Sequence, residues 1–110
     1  MIQTKHHKTL TPERWQKFSL AEQMGNIGSE VSRAIGAKKR NDAVGLNNAF
    51  ERGMELFDLT MMDTRHKKRL IEIGRLREVF VDAYLGGREY KSKMDDLDRY
   101  FLQFALIVRK

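Results

Sequence analysis

The chain has 110 residues, of which 41% are hydrophobic and 33% are charged, and this length and balance fit a single domain with its own core. It contains no cysteine, which excludes disulfides, thiolate metal sites and a cysteine nucleophile. Lysine and arginine outnumber aspartate and glutamate by 21 to 15, and the net charge of +6 favours an anionic partner, most often nucleic acid.

The composition also predicts a cytoplasmic protein without a membrane span. The longest run without a charged residue, Tyr100 to Val108, is far shorter than the roughly 20 residues that a spanning helix needs. The first residues contain no apolar signal core, so we expect no secretion. One proline and eight glycines argue against a turn-rich β fold.

The N-terminus divides into a tail and a helix start. Residues 1–10, MIQTKHHKTL, are polar and basic without a period, and we expect a flexible tail whose adjacent histidines are solvated rather than metal-bound. Thr11-Pro12-Glu13 is a helix-start signal, and Ser19-Leu20-Ala21-Glu22 is a second one, a capping box. Either a short turn holding Trp15 and Phe18 precedes the main helix, or one helix runs from about Pro12.

The first long helix is predicted from an apolar stripe at spacings of four and three residues. The stripe consists of Leu20, Met24, Ile27, Val31, Ala34 and Ile35. Gly25 and Gly28 lie inside this helix, where each costs about 1 kcal/mol relative to alanine. Close approach of a neighbouring helix is the simplest reason for them.

Three more helices follow, each with a start signal. Asn41 or Asp42 caps a helix that ends near Met62, Asp63-Thr64 caps one that begins RHKKRL and stops at Gly86-Gly87, and Ser92 caps the last. Four helices of roughly 15 to 20 residues with short connections predict an all-α fold, an antiparallel up-down-up-down four-helix bundle over residues 11–110.

No combination of residues matches a catalytic or cofactor motif. A di-iron bundle needs Glu-x-x-His on two helices, but Asp63 stands three residues before His66 and no second such pair exists. A phosphate-binding glycine loop and a zinc spacing are also absent. Four helix glutamates, Glu30, Glu51, Glu55 and Glu72, would need a cleft with a buried carboxylate to act as acid or base. We therefore predict no enzyme, no catalytic residues, no metal site and no cofactor.

The charge layout is the most informative feature. In the predicted bundle the second connection meets both chain termini at one end, and we expect phosphate contacts there from Arg65, Lys67, Lys68, Arg69, Arg109 and Lys110. A second patch at the first connection consists of Lys38, Lys39 and Arg40. Trp15, Phe18 and Tyr90 are the only aromatic candidates for base stacking, so backbone-led, sequence-tolerant binding is expected. The alternative is that these cations only keep the protein soluble.

The last two helices carry more apolar residues than one buried stripe requires. The surplus on the last helix is Tyr100, Leu102, Leu106 and Ile107. We expect these residues to form a homo-oligomer interface or the docking site of a partner protein. Tight packing of an irregular monomer is the rival explanation.

Four stretches carry a family resemblance: LAEQMGNIGSEV, AFERGMELFDLT, DAYLGG and YFLQFALIVRK. In helix count, length and basicity, residues 12 to 110 resemble the small four-helix-bundle proteins of the ribosomal intervening-sequence protein group and the accessory variability determinant proteins of diversity-generating retroelements. The resemblance implies a non-catalytic, ring-forming protein that binds nucleic acid and a reverse transcriptase.

Two hypotheses follow. In the first, the chain is a basic helical bundle that binds RNA or DNA, as an oligomer and as an accessory to a partner enzyme such as a reverse transcriptase. In the second, it is a protein-interaction scaffold that uses an apolar face on the last two helices, without nucleic acid.

Overall fold

The computed structural model describes residues 10–86 and 94–109, and the side chains of all of these except residues 94, 95 and 104–109. This part of the chain is helical and contains no β-strand, so the fold is all-α, as predicted. The α-helices are α1 (Pro12–Trp15), α2 (Leu20–Lys39), α3 (Ala43–Met61), α4 (Leu70–Tyr84) and α5 (Met94–Arg109), with a 3-10 helix at Thr64–Arg69.

Two caps separate α1 from α2, so the short turn precedes the main helix. The Thr11 side chain accepts a hydrogen bond from the Arg14 amide at 3.2 Å, and Pro12 occupies the first turn. Ser19 and Glu22 form the predicted capping box, with bonds of 3.1 and 2.9 Å between each side chain and the other's amide. The two start signals in the sequence therefore mark two separate helices.

Asn41 and Asp42, the two predicted cap residues between α2 and α3, have different structural roles. Asp42 caps α3 by accepting a hydrogen bond from the Gly45 amide at 2.9 Å. Asn41 has a φ of 57°, the left-handed conformation that ends many helices and that asparagine tolerates better than most residues.

The segment before α4 differs from the prediction. RHKKRL was expected to begin an α-helix, but Thr64–Arg69 is a 3-10 helix and α4 begins at Leu70. His66 has non-helical angles, φ −99° and ψ 18°, and its side chain is buried. The chain therefore departs from α-helical geometry at His66, and the regular α-helix begins only at Leu70.

Neighbouring long helices run in opposite directions. Along α2 and α3, Arg52 bonds to Glu30, whereas Asp63, beyond the end of α3, bonds to Gln23 near the start of α2. Between α3 and α4, Arg77 bonds to Asp58 and Tyr84 bonds to Asn47.

The last helix, α5, packs on both α2 and α4. Phe101 lies against Gly28 and Asp98 accepts a hydrogen bond from Ser32, so α5 runs opposite to α2. Tyr100 bonds to Glu72 of α4. The core lies between the long helices, where the ring of Phe57 is 6.1 Å from that of Phe80 and 6.2 Å from that of Phe101.

The expected close approach of a neighbouring helix is confirmed at Gly28. A Cβ at Gly28 would lie 2.6 Å from the Cβ of Phe101, so only glycine lets α5 come this close. A Cβ at Gly25 would meet no atom of the described residues within 4 Å. Residues 1–9 of the predicted flexible tail, residues 1–10, lie outside the described residues, while its last residue, Leu10, packs partly buried against the core.

Candidate nucleic-acid interface

The 3-10 helix after α3 presents three consecutive cations to solvent. Lys67, Lys68 and Arg69 are all exposed. The preceding residue, His66, is 7% exposed and the Asp63 side chain 1%, so the segment has one face in the core and one in water. This short turn with three exposed cations is here named the basic turn (Lys67, Lys68 and Arg69).

A hydrogen-bonded network inside the protein anchors the basic turn. The Gln23 amide nitrogen donates to the Trp15 carbonyl at 3.0 Å and to Asp63 Oδ2 at 3.2 Å. The Gln23 amide oxygen lies 2.7 Å from His66 Nε2, which is also 3.3 Å from Asp63 Oδ2. Four residues from α1, α2 and the 3-10 helix are thus linked, and we name Gln23, Asp63 and His66 the buried polar network.

The network determines which ring nitrogen of His66 carries a proton. Both groups that receive hydrogen bonds from Gln23 are pure acceptors, so the Gln23 oxygen must face His66. His66 Nε2 then faces an amide oxygen and a carboxylate, and it must be an N–H donor. The neutral imidazole is therefore held as the Nε2-protonated tautomer.

The surroundings of these two residues shift their pKa values downward. Hydrogen bonds from Arg65 hold the pKa of the Asp63 carboxyl well below its usual range, against the opposing effect of burial. Burial lowers the pKa of His66, and the nearby Arg65 and Arg69 charges add to this, outweighing the attraction of Asp63. At neutral pH the network therefore contains a charged aspartate and an uncharged histidine.

Arg65 connects the network to the loop between α1 and α2. Its Nε and Nη2 atoms lie 2.6 to 3.1 Å from the Asp63 carboxylate, and Nη2 also donates to the Phe18 carbonyl at 2.8 Å. Lys17 precedes Phe18 and is exposed. The bond therefore brings Lys17 to the same region as the basic turn.

The cations of this region differ in whether their side chains form ion pairs. Within residues 10–86 and 94–109, no ion pair engages Lys17, Lys67, Lys68 or Arg69, and we name these four residues the basic cluster. Arg65, which was expected to contact phosphates, spends most of its donors on Asp63 and Phe18. Its position suits it to orient the loop beside the basic cluster.

The second predicted patch lies at the other end of α2. Lys38, Lys39 and Arg40 are all exposed, and Arg40 Nη2 lies 3.8 Å from Asp42 Oδ2. At 1.5 Å per residue, Lys39 is roughly 24 Å along α2 from Gln23. The two basic patches are therefore separate surfaces.

The remaining predicted site residues lie on α5. The side chain of Arg109 and all of Lys110 lie outside the described residues, as do the side chains of Leu106 and Ile107. Tyr100 is half-buried and donates to Glu72 at 2.9 Å, and burial together with this bond raises its pKa to about 12. Leu102 is 55% exposed and borders a groove of about 140 Å³ between α2 and α5.

Of the helix glutamates considered as acid or base groups, Glu30 is buried. Its carboxylate accepts from Arg33 Nη1 at 2.5 Å and from Arg52 Nε at 2.9 Å. Glu30 thus forms ion pairs with one arginine of α2 and one of α3. Across the described part of the chain, no group of three or more His, Asp or Glu residues is placed to hold a metal ion.

Sequence reasoning missed the buried polar network, although one signal pointed to it. An N-cap aspartate followed three residues later by His, after a hydrophobic helix, was considered only as an imperfect metal motif. The position of Gln23 on the apolar side of α2 did not indicate that its amide would be part of a buried network. The pairing depends on residues about 40 positions apart, which local patterns do not encode.

Comparison of the chain with known protein families, with curated proteins and with solved structures finds no match. The resemblance to the intervening-sequence and retroelement accessory proteins stays a prediction. Among the described helices, none has the length and apolar character needed to cross a membrane.

Proposed function

We propose that the chain is a non-catalytic, cytoplasmic helical protein that binds nucleic acid through phosphate contacts at the basic cluster. One observation carries the proposal: four cations without ion pairs to described residues share a surface that the buried polar network anchors to the core. Because the backbone of the turn is already held, binding a phosphate backbone needs to order only the exposed side chains there.

The arrangement of the helices supports a basic end of the molecule. We propose that α2, α3, α4 and α5 form an antiparallel up-down-up-down four-helix bundle, in line with the opposite directions of the helix pairs described above. The start of α2, the end of α3 and the basic turn then share one end with the end of α5. Arg109 and Lys110 would extend the basic cluster at that end.

The chemistry of the cluster favours sequence-tolerant binding. A lysine ammonium is a point charge that holds a phosphate oxygen without reading a base, and Arg69 adds a forked guanidinium. Contacts of this kind position a nucleic acid by its backbone and release condensed counterions. Binding is therefore expected to weaken steeply as salt rises.

A pair of charge-reversal variants tests the proposal. In K67E/K68E the basic turn becomes acidic, while K38E/K39E makes the same change in net charge at the distant patch. Fluorescence anisotropy with a labelled 15-nucleotide oligo(dT) should show a large loss of affinity for K67E/K68E and a small one for K38E/K39E. Circular dichroism establishes that both variants are folded.

The salt dependence gives a second, independent readout. Losing two phosphate contacts on a single strand should reduce the slope of log K against log[salt] by about 1.4. Equal losses of affinity for the two variants would show that net charge alone drives binding and would overturn the assignment to the basic turn. An unchanged affinity and slope for K67E/K68E would overturn it as well.

A specific observation favours the scaffold as a second candidate. Leu102 is exposed beside the groove between α2 and α5, and Gly25 lines that groove with no atom of the described residues within 4 Å of where its Cβ would lie. An associating helix would cover both. If this surface joins protomers, Leu102→Asp should convert an oligomer to a monomer in size exclusion with light scattering, without unfolding it. An assembly that is unchanged by this substitution would exclude the surface.

The role as an accessory to a reverse transcriptase comes from the resemblance alone. It predicts that a reverse transcriptase of a diversity-generating retroelement forms a complex with this chain. Co-expression of the two proteins followed by affinity purification tests this directly. Failure to co-purify would remove the accessory role and leave nucleic-acid binding untouched.

A further inference from the structure

One aromatic side chain is exposed inside the basic region. Phe18 is 38% exposed, whereas its neighbour Trp15 is 2% exposed and donates its indole N–H to Thr60 at 2.9 Å. The two rings lie 5.6 Å apart at 59°. Trp15 is thus the buried, hydrogen-bonded ring of the pair, and Phe18 is the ring that solvent can reach.

The position of Phe18 relative to the cations is held by hydrogen bonds. Arg65 Nη2 binds the Phe18 carbonyl, and the same guanidinium is fastened to the buried Asp63. Lys17 precedes Phe18 in the chain, and Lys67 follows two residues after Arg65. An exposed ring and exposed cations therefore lie in the same region, and proteins that hold single strands use such a combination for stacking and backbone contacts.

We propose that Phe18 stacks on an unpaired base while the basic cluster holds the flanking phosphates, so that the ligand of this site is single-stranded nucleic acid. The inference rests on the proposed function and narrows it to one class of ligand. In a duplex each base face is covered by the next base pair, and the ring would have no base to stack on. In a single strand every base offers a face, so stacking adds affinity without sequence preference.

Base stacking was not expected from the sequence, because aromatic residues are scarce in the basic segments. The tertiary structure buries Trp15 and leaves Phe18 exposed next to Arg65, 47 residues away in the chain. One aromatic ring in the right place is enough for one stacked base. Tyr90, the other candidate, lies outside the described residues.

Three labelled probes of 15 nucleotides test the inference on the wild-type protein: oligo(dT), the same strand with abasic sites in place of its bases, and a duplex of the same length. Anisotropy titrations should show the tightest binding to oligo(dT). Equal or tighter binding to the abasic strand or to the duplex would overturn the stacking proposal. This comparison needs no variant and does not depend on the folding of one.

Phe18→Leu and Phe18→Tyr then assign the effect to the ring. Leucine keeps an apolar side chain but has no π face, and we expect a loss of roughly five- to a hundred-fold for oligo(dT), the range for one stacked base. Binding to the abasic strand should not change, and Phe18→Tyr should bind like the wild type. An F18L variant that keeps full affinity for oligo(dT) would overturn the proposal.

The outcomes separate this inference from the proposed function. If the wild type binds none of the three probes, both proposals fail. If it binds all three equally, and K67E/K68E weakens each of them while F18L weakens none, phosphate binding stands and stacking fails. The emission of Trp15, the one tryptophan of the chain, reports whether each variant keeps its native surroundings.

Discussion

A charged aspartate and a neutral histidine lie next to each other in the interior, and the difference between them comes from their partners. Asp63 accepts hydrogen bonds from Arg65 and Gln23, which together stabilise its charge. His66 faces the same Gln23 through a single N–H donor. Among the described residues no buried side-chain nitrogen or oxygen lacks a hydrogen bond, so the network is complete only with this distribution of protons.

This proton distribution predicts a loss of stability in mild acid. Because burial holds the pKa of folded His66 below its usual 6.5, the unfolded chain takes up the proton more readily. The free energy of unfolding should therefore fall as the pH drops below about 6.5. Asp63, whose folded pKa is lowered, adds a second loss as the pH falls below its usual 3.8.

Urea unfolding followed by Trp15 emission between pH 7.5 and 5.0 measures the first effect. His66→Gln keeps an N–H donor for Gln23 but does not titrate, so its stability should fall less over this range. His6 and His7 are present in both proteins and cancel in the comparison. The same pH dependence in the variant and the wild type would contradict the assignment to His66.

At the scale of the helices, two glycines three residues apart in α2 have opposite surroundings. Gly28 is covered by Phe101 of α5, whereas a Cβ at Gly25 would have no atom of the described residues within 4 Å. The same substitution at the two positions should therefore have opposite effects. The pair provides a matched test of how α2 and α5 pack.

Gly28→Ala should destabilise the protein, because its Cβ would lie 2.6 Å from that of Phe101 and overpacking costs about 1–3 kcal/mol. Gly25→Ala should stabilise it by up to about 1 kcal/mol through helix propensity. Thermal melts monitored by circular dichroism at 222 nm compare the two variants. A stabilised Gly28→Ala would show that α5 does not approach α2 at this point.

The connection between α2 and α3 gives a second prediction at this scale. Asn41 has a φ of 57°, a conformation that costs a residue with a Cβ roughly 1–2 kcal/mol. Asn41→Gly should therefore match or exceed the wild type in stability, and Asn41→Ala should be less stable than both. Chemical unfolding ranks the three proteins, and an alanine variant as stable as the glycine variant would contradict the conformation.

At the scale of the whole molecule, charge is distributed unevenly. Buried anions such as Glu30 and Asp63 are neutralised by arginines, while the basic cluster has no anionic partner among the described residues. The exposed side chains of the basic cluster carry part of the net charge of +6 into solvent. Like charges held close together repel one another, and a bound polyanion relieves that repulsion.

A polyanion should therefore stabilise the folded protein. Inorganic polyphosphate at a hundred times its Kd would add about 2.7 kcal/mol if it binds only the folded state, which raises the melting temperature by several degrees. K67E/K68E should show a much smaller rise in low salt. An equal rise in both proteins would place the binding surface away from the basic turn.

Local patterns predicted the elements well because caps and apolar stripes are short-range signals. The capping box at Ser19, the Asp42 cap and the apolar stripe of α2 all occur as expected. The predicted start of α4 was wrong. The side chain of His66 is buried against Gln23, 43 residues away, and local sequence patterns do not indicate such a contact. Of the candidate site, the exposed cations of the basic turn were read from the sequence, whereas the position of Phe18 beside them was not.

The sequence by itself determined the all-α class, the principal helices and the excess of positive charge, since each depends on residues within a few turns of one another or on composition alone. Tertiary structure decided which polar groups are buried, which glycine is covered and which aromatic ring stays exposed. Burial of Gln23, Asp63 and His66 is favourable only when all three meet, because an isolated polar group loses its water without replacement. Their meeting places Arg65 against Phe18 and arranges the surface where we expect a nucleic acid to bind.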